Sequence, residues 1–190
     1  MIMAKVYVFL AEGFEDVEAL IPVDVLRRGG VEVVTVSTVE DSQVVESAHG
    51  VQIVADAMFD DCDFSDADLL MLPGGMPGAS NLNAHEGVKK ALLAQDAAGR
   101  RISAICAAPL VLGGLGLLKG RRATCYPGFE QTLTGAEYTG ELCTVSGHIT
   151  TGEGPAAAFP YAYELLSQLT DKATAQQIAI GMRYAHLMDK

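Results

Sequence analysis

Leu69-Leu70-Met71-Leu72 reads as a β-strand with no polar face, and Pro73-Gly74-Gly75 closes it at once. A strand that is apolar on both sides has to be covered on both sides, which is the situation of parallel sheets sandwiched between helices. The rest of the chain supplies covering elements in alternation. Lys5 to Leu10 and Val31 to Ser37 are β-branched runs on either side of a helical pattern over Glu15 to Arg28, where Pro22 predicts a kink or an opened hydrogen bond. His85 to Ala98 is an amphipathic helix, stopped by Gly99, that feeds a strand at Ile102 to Ile105. Short strands are predicted at Val51 to Val54, around Ala123 to Tyr126, at Leu142 to Ser146 and at Ile149 to Thr151. Two helices, from about Ala156 to Leu169 and from Ala173 to Leu187, close the chain. The pattern predicts an α/β fold: a doubly wound sandwich with a mainly parallel sheet, in one domain over 1–190, because no repeat, low-complexity tract or long linker divides it.

Composition narrows the classes of partner. An apolar share of 49% is enough for a sizeable core, and 13 basic against 24 acidic residues leave a net charge of −11. An acidic chain repels phosphate backbones, so direct nucleic-acid binding is not expected. The long apolar run Ile102 to Leu118 contains Pro109 and three glycines and sits at the lower limit of the roughly 17–25 residues that cross a bilayer. It is expected to be buried, with no membrane association. At the N-terminus the apolar stretch Val6 to Ala11 runs directly into Glu12, Glu15 and Asp16, with no small-residue cleavage site, which predicts a first strand and a cytoplasmic protein. Cys62, Cys106, Cys125 and Cys143 form no C-x-x-C pair and have no histidine pair at finger spacing, so neither a metal nor any other cofactor is expected. Cys62, Cys125 and Cys143 are expected to be small buried hydrophobes.

Ligand sites of open parallel sheets lie beyond the carboxyl ends of the strands. The loops there are Ala11 to Glu15, Pro73 to Gly78, Cys106 to Pro109 and Gly152 to Pro155, with Gly74, Gly75 and Gly154 allowing close approach of the backbone. Cys106 follows an apolar strand, and Pro109 suits a first helical turn, so Cys106 sits on a strand-to-helix elbow. An exposed thiol at a helix start has a lowered pKa; the same spacing also fits a buried structural Cys. Glu15, Asp16 and Glu18 open the first helix, where carboxylates offset the helix dipole. Glu18 could instead face the loop cluster, where a neighbouring thiolate would raise its pKa. His49, His85, His148 and His186 are scattered, and His148 falls toward the wrong strand end.

Three segments, Gly13-Phe14-Glu15-Asp16-Val17-Glu18-Ala19 with Ile21-Pro22-Val23-Asp24, Leu72-Pro73-Gly74-Gly75 and Ala104-Ile105-Cys106-Ala107-Ala108-Pro109, strongly resemble the ThiJ/PfpI family. Within it they are most similar to the branch of the parkinsonism-associated protein deglycase, in the class I glutamine-amidotransferase-like group of folds. The resemblance covers essentially the whole chain. It implies a flavodoxin-like sandwich, a homodimer, and a nucleophilic Cys106 whose sulfur is hydrogen-bonded by Glu18. It also implies an oxyanion hole from the amides of Gly75 and Ala107, with Glu15, Gly74, Tyr126, Gly154 and Pro155 around the pocket. Two positions depart from the pattern: Cys125-Tyr126-Pro127 stands where some members have Thr-His-Pro, and Glu153 stands where some have Arg.

Peptidase-like members place a His directly after the nucleophile, and here that residue is Ala107, so proteolysis is not expected. The resemblance implies a glutathione-independent glyoxalase or deglycase. Its substrate would be a small aldehyde or dicarbonyl such as methylglyoxal, or an early glycation adduct, attacked by Cys106 to give a hemithioacetal. A redox sensor or stress chaperone acting through oxidation of Cys106 is the alternative, and a pocket that binds a metabolite without turnover is a third reading.

Overall fold

The structure, a computed structural model, describes residues 3–188. In chain order the main elements are β1 (Lys5–Leu10), α1 (Asp16–Arg28), β2 (Glu32–Ser37), β3 (Val44–Glu46), β4 (Gln52–Val54), β5 (Ala57–Met58) and β6 (Leu69–Leu72). Then follow α2 (Gly78–Ala84), α3 (Glu86–Ala97), β7 (Arg101–Ile105), α4 (Pro109–Gly114), β8 (Arg122–Ala123) and β9 (Glu137–Tyr138). The chain continues with β10 (Cys143–Ser146), β11 (Ile149–Gly152), α5 (Ala158–Leu169), α6 (Lys172–Gly181) and α7 (Tyr184–Met188).

Seven strands form one sheet in the order β10-β11-β7-β6-β1-β2-β5. Each neighbouring pair is parallel except β10 with β11. The strand without a polar face, β6, lies between β1 and β7, with Val6 opposite Leu69 and Leu70 opposite Ile102. All four of its side chains are completely buried. Helix α1 packs on α5 and α5 on α6, whereas α2 packs on α3 and α4, so a helical layer flanks each face. The doubly wound arrangement expected from the apolar strands is therefore present.

Parallel strands all end on the same side, which brings the loops after β1, β6, β7 and β11 together. The Gly78 amide donates to Gly13 O at 3.1 Å, that of Glu15 to Gly74 O at 3.0 Å, and that of Cys106 to Gly152 O at 3.0 Å. Four stretches remote in sequence are thus stitched in two pairs by backbone hydrogen bonds at one end of the sheet.

Several elements differ from expectation, each for a local reason. Gln52–Val54 is a strand, but it pairs antiparallel with Val44–Glu46 in a hairpin outside the main sheet. The strand expected around Ala123 to Tyr126 is limited to Arg122–Ala123, which pairs parallel with Glu137–Tyr138 in a separate two-stranded ribbon. Cys125 and Tyr126 leave that ribbon because Tyr126 N bonds to Cys106 O at 2.9 Å. His85 does not lie inside a helix; its Nδ1 accepts from Val88 N at 3.1 Å and caps α3. The helix expected over Ala173 to Leu187 is interrupted after Gly181, a poor helix former, by Arg183 at φ 66°. Pro22 lies within a helix that runs unbroken from Asp16 to Arg28. Among the described residues no helix is long and apolar enough to cross a membrane.

Candidate active site

Cys106 stands between β7 and α4 with φ +65°, in the left-handed region that a side chain with a Cβ rarely adopts. Such a conformation costs about 1–3 kcal/mol and persists only where the surroundings enforce it. Here Gly152 O takes the Cys106 amide, and the Cys106 carbonyl accepts from Tyr126 N. The backbone amides of Gly75 and Ala107 favour the ionised form of the Cys106 thiol.

Gly74 makes the close approach possible. A Cβ there would lie 2.6 Å from Cys106 Cβ, 2.6 Å from Glu18 Oε2 and 2.8 Å from Ile105 O. Its amide donates to Glu18 Oε2 at 3.0 Å. Glu18 is delivered by the first turn of α1 and is completely buried, while Glu15 caps the same helix by accepting from Glu18 N at 2.8 Å. The other oxygen, Glu18 Oε1, is buried with no hydrogen-bond partner, and besides the Gly74 amide the carboxyl feels the Cys106 thiol and Glu15. Glu18 therefore does not lie on a solvated face, and Cys106 and Glu18 form a buried pair.

Burial pushes the Glu18 carboxyl up to about 7, with Glu15 adding to the rise and the Cys106 thiol and Gly74 amide opposing it. Burial and the Glu18 carboxylate push the thiol up to about 12 against the pull of the two amides. The lowered thiol pKa expected from a helix start is thus corrected in direction. α4 is only six residues long, and desolvation beside a carboxylate outweighs its amides. Two groups coupled this strongly titrate as a unit, which holds two protons below about 7 and one above it.

The sign of this coupling has a consequence for stability. The folded state holds the Glu18 proton more tightly than an unfolded chain does between the ordinary value of 4.5 and about 7. Stability is therefore lost as pH rises through that window. Glu18→Gln keeps an oxygen for the Gly74 amide and removes the titration. It is expected to be more stable than the wild type at pH 8 by about 3 kcal/mol, a gain that fades toward pH 4.5. Urea midpoints at the two pH values check this, and equal midpoints at pH 8 would refute it.

The remaining expected residues fall around this pair. Tyr126 is bonded through its backbone to Cys106, and its half-exposed ring faces Gly154, where a Cβ would come within 3.1 Å of Tyr126 Cδ2. Tyr126, Pro127, Glu153 and the turn Gly154 to Ala157 line a cavity of about 230 Å³. A larger hollow of about 520 Å³, between Phe59, Phe64, Ala91 and Arg100, includes none of the expected site residues. Gly152 was not singled out for a role, yet its carbonyl anchors Cys106; its position at the end of a strand directly before the Glu153-Gly154 loop was the available signal. His148 lies before β11 at the far end of the sheet, with Nε2 2.7 Å from Asp96.

Of the other cysteines, Cys125 is buried, whereas Cys62 and Cys143 are only partly covered: Cys143 starts the edge strand β10, and Cys62 lies in the loop after the edge strand β5, its thiol donating to Met58 O at 3.3 Å. Burial raises all three thiols, Cys125 to about 11 and Cys143 to about 12. One potential set of metal donors is Glu15, Asp16 and His49, which bring an atom each within 4.8 Å of one another. Asp16 is already engaged there by Ser47 at 2.7 Å and His49 at 2.6 Å.

A doubly wound sheet with a strained cysteine elbow facing a buried carboxyl defines the cysteine-elbow class of α/β proteins. The chain belongs to the DJ-1/PfpI family, whose model matches residues 4–168. It is 33% identical to the dj-1beta protein of Drosophila melanogaster over 94% of this chain and 96% of the fly protein. It is 40% identical to DJ-1 homolog B of Arabidopsis thaliana over 92% of this chain but spans only 40% of that protein. A Caenorhabditis elegans relative named glutathione-independent glyoxalase is 32% identical over 83% of this chain and 84% of its own length. Among solved structures, a cysteine-to-alanine mutant of a DJ-1 superfamily protein from Salmonella typhimurium superposes with a TM-score of 0.90 at 35% identity, covering 95% of this chain and 98% of its own. Oxidized Toxoplasma gondii DJ-1 superposes with a TM-score of 0.90 at 36% identity, covering 94% and 97%.

Proposed function

We propose that the protein is a cofactor-independent glyoxalase or deglycase that acts on small α-oxoaldehydes through Cys106. The observation that carries this reading is the buried Cys106–Glu18 pair, packed together beside Gly74. Transfer of the thiol proton to the Glu18 carboxylate generates a thiolate without any histidine. The thiolate adds to the aldehyde carbon of methylglyoxal, and the oxygen that becomes negative is held by the Gly75 and Ala107 amides. Glu18 then gives up and regains the proton as hydrogen moves between the adjacent carbons, leaving a thioester of lactate on Cys106. Water cleaves that thioester, so the sum is methylglyoxal plus water giving lactate, with no net oxidation and no metal. On a carbinolamine adduct of the same aldehyde, the thiolate would displace the amine, the C–N bond breaking as the C–S bond forms and the amine leaving with a proton from Glu18, which gives the same hemithioacetal. The worm relative named as a glutathione-independent glyoxalase supports this reading.

The test is lactate formation from methylglyoxal by the fully reduced protein, after chelation and without glutathione. Turnover is expected to rise with pH through about 7, as the pair gives up its first proton. Absence of product from protein whose Cys106 is shown by mass to be reduced would remove the reading. Oxidation of Cys106 is the second reading, favoured by the oxidized Toxoplasma gondii relative and by the partnerless Glu18 Oε1, which when protonated can donate to an oxidised sulfur. It requires Cys106 to be oxidised by peroxide faster than Cys62.

A homodimer also belongs to this reading. Helix α1 exposes Val17 and Leu20, and the β3–β4 hairpin exposes Val44, Val51 and Val54. The contacts of Ser47 with Phe14 and Asp16 tie the hairpin to the start of α1, so the two apolar groups stand on adjoining elements. Val54→Lys is expected to shift the sedimenting species from dimer to monomer, and a wild type that sediments as a monomer at micromolar concentration would exclude the arrangement.

A further inference from the structure

The cavity joined to the Cys106 elbow through the backbones of Gly152 and Tyr126 carries a single charge. Glu153 is the one ionisable carboxylate among its lining residues; the rest of the wall is Tyr126, Pro127 and the turn from Gly154 to Ala157, and no Lys or Arg contributes to it. Both sides of the cavity are tied to the elbow. Gly152, the residue before Glu153, accepts the Cys106 amide, and the Tyr126 amide donates to the Cys106 carbonyl. The backbone of Glu153 is fixed in turn by its amide, which donates to Leu142 O at 3.0 Å. None of the ion pairs among the described residues includes Glu153, so its charge is not neutralised within the chain. The acidic groups on the opposite side of the elbow, Glu15 at the helix cap and the buried Glu18, add to the same sign.

We propose that Glu153 sets the charge preference of the site, so that it admits carbonyl compounds carrying a positive charge, such as aminoaldehydes and carbonyl adducts of amines, ahead of neutral ones, and turns away those carrying a carboxylate. This rests on Cys106 being the reacting group, as in the function proposed above. A charge at the mouth of a partly enclosed cavity acts through low-dielectric walls and concentrates counter-ions there. The preference of one unit of ligand charge over the other is then on the order of tenfold, and it shrinks as ionic strength brings the Debye length to about 10 Å and below. Tyr126 adds a hydroxyl that can donate a hydrogen bond in the same wall.

The experiment reads Cys106 itself and does not depend on turnover. Matched cationic and anionic methanethiosulfonates are reacted with the full chain, and modification of the Cys106 peptide is followed by mass. The thiolate attacks the reagent's sulfenyl sulfur, a disulfide forms and methanesulfinate leaves, so the chemistry is identical for the two charges. The cationic reagent is expected to react with Cys106 about tenfold faster than the anionic one at low salt. In Glu153→Gln the ratio should fall severalfold, and in Glu153→Arg it should invert, while the ratio at Cys62 stays fixed. A Cys106 ratio that is the same in the wild type and Glu153→Gln overturns the proposal. Comparison of kcat/KM for three α-oxoaldehydes of matched shape, phenylglyoxal and its para-trimethylammonium and para-carboxylate derivatives, separates the two readings. If none of the three is turned over, the enzymatic reading fails, while the reagent ratio still decides the charge preference.

Discussion

Cys106→Ala is expected to reduce kcat/KM for methylglyoxal by about a thousandfold or more, with little change in stability. The proposed reaction passes through a covalent bond to the sulfur, so removing it leaves only the Gly75 and Ala107 amides and the Glu18 carboxyl to act on bound substrate. No other cysteine can stand in. Cys125 is buried behind Tyr126, and Cys62 and Cys143 lie at opposite edges of the sandwich. Stability should change little because Ala at φ +65° carries the same backbone penalty as Cys, and the volume lost is a single sulfur. Lactate formation together with a denaturant midpoint checks both halves. Activity above about a tenth of the wild type in Cys106→Ala would place the reacting group elsewhere.

Gly75→Ala is expected to have the largest effect on the fold. Gly75 has φ +86°, and a Cβ there would lie 2.6 Å from Gly13 O and 2.7 Å from the Phe14 carbonyl carbon. Backbone atoms cannot swing aside as a side-chain end can, so the loops after β1 and β6 must separate. The left-handed conformation alone costs roughly 1–2 kcal/mol and the overpacking a further 1–3 kcal/mol. A loss of about 3 kcal/mol or more is therefore expected, with activity lost alongside as the Gly75 amide moves from the sulfur. Gly99→Ala supplies the comparison: its φ is +65°, nothing lies within 4 Å of the added methyl, and only the conformational cost of about 1 kcal/mol should appear. Equal urea midpoints for the two variants would show that the packing of the Gly13–Phe14 loop on Gly75 contributes nothing.

How much of this was legible in the chain depended on how strongly each feature was tied to local pattern. Leu69 to Leu72 announced a buried parallel strand because no polar residue interrupts it, and the elbow at Cys106 followed from an apolar run ending at Cys-Ala-Ala-Pro. The edge strand Ala57–Met58 has two residues and no alternation to detect, and β8 owes its position to a partner fifteen residues away. The break at Arg183 has no proline to mark it. The direction of the thiol's pKa was out of reach for a different reason. Spacing reveals that Glu18 begins a helix, but the loss of its water and its contact with Cys106 exist only once β6, β7 and α1 are assembled.

The two ends of the main sheet bear on how this molecule avoids its own kind in the wrong way. An exposed strand edge is a template on which another chain can add a strand and begin a fibril. At one end β5 offers only two residues, and β4 just before it is turned away into the hairpin. At the other, β10 is covered by the segment around the β8–β9 ribbon, where Arg122 N donates to Ser146 Oγ at 3.3 Å and the Thr139 and Thr144 hydroxyls meet at 2.6 Å. Among the described residues, one edge of the main sheet is too short to template and the other is held against the ribbon, which leaves that sheet little open seam for edge-to-edge addition while it is folded.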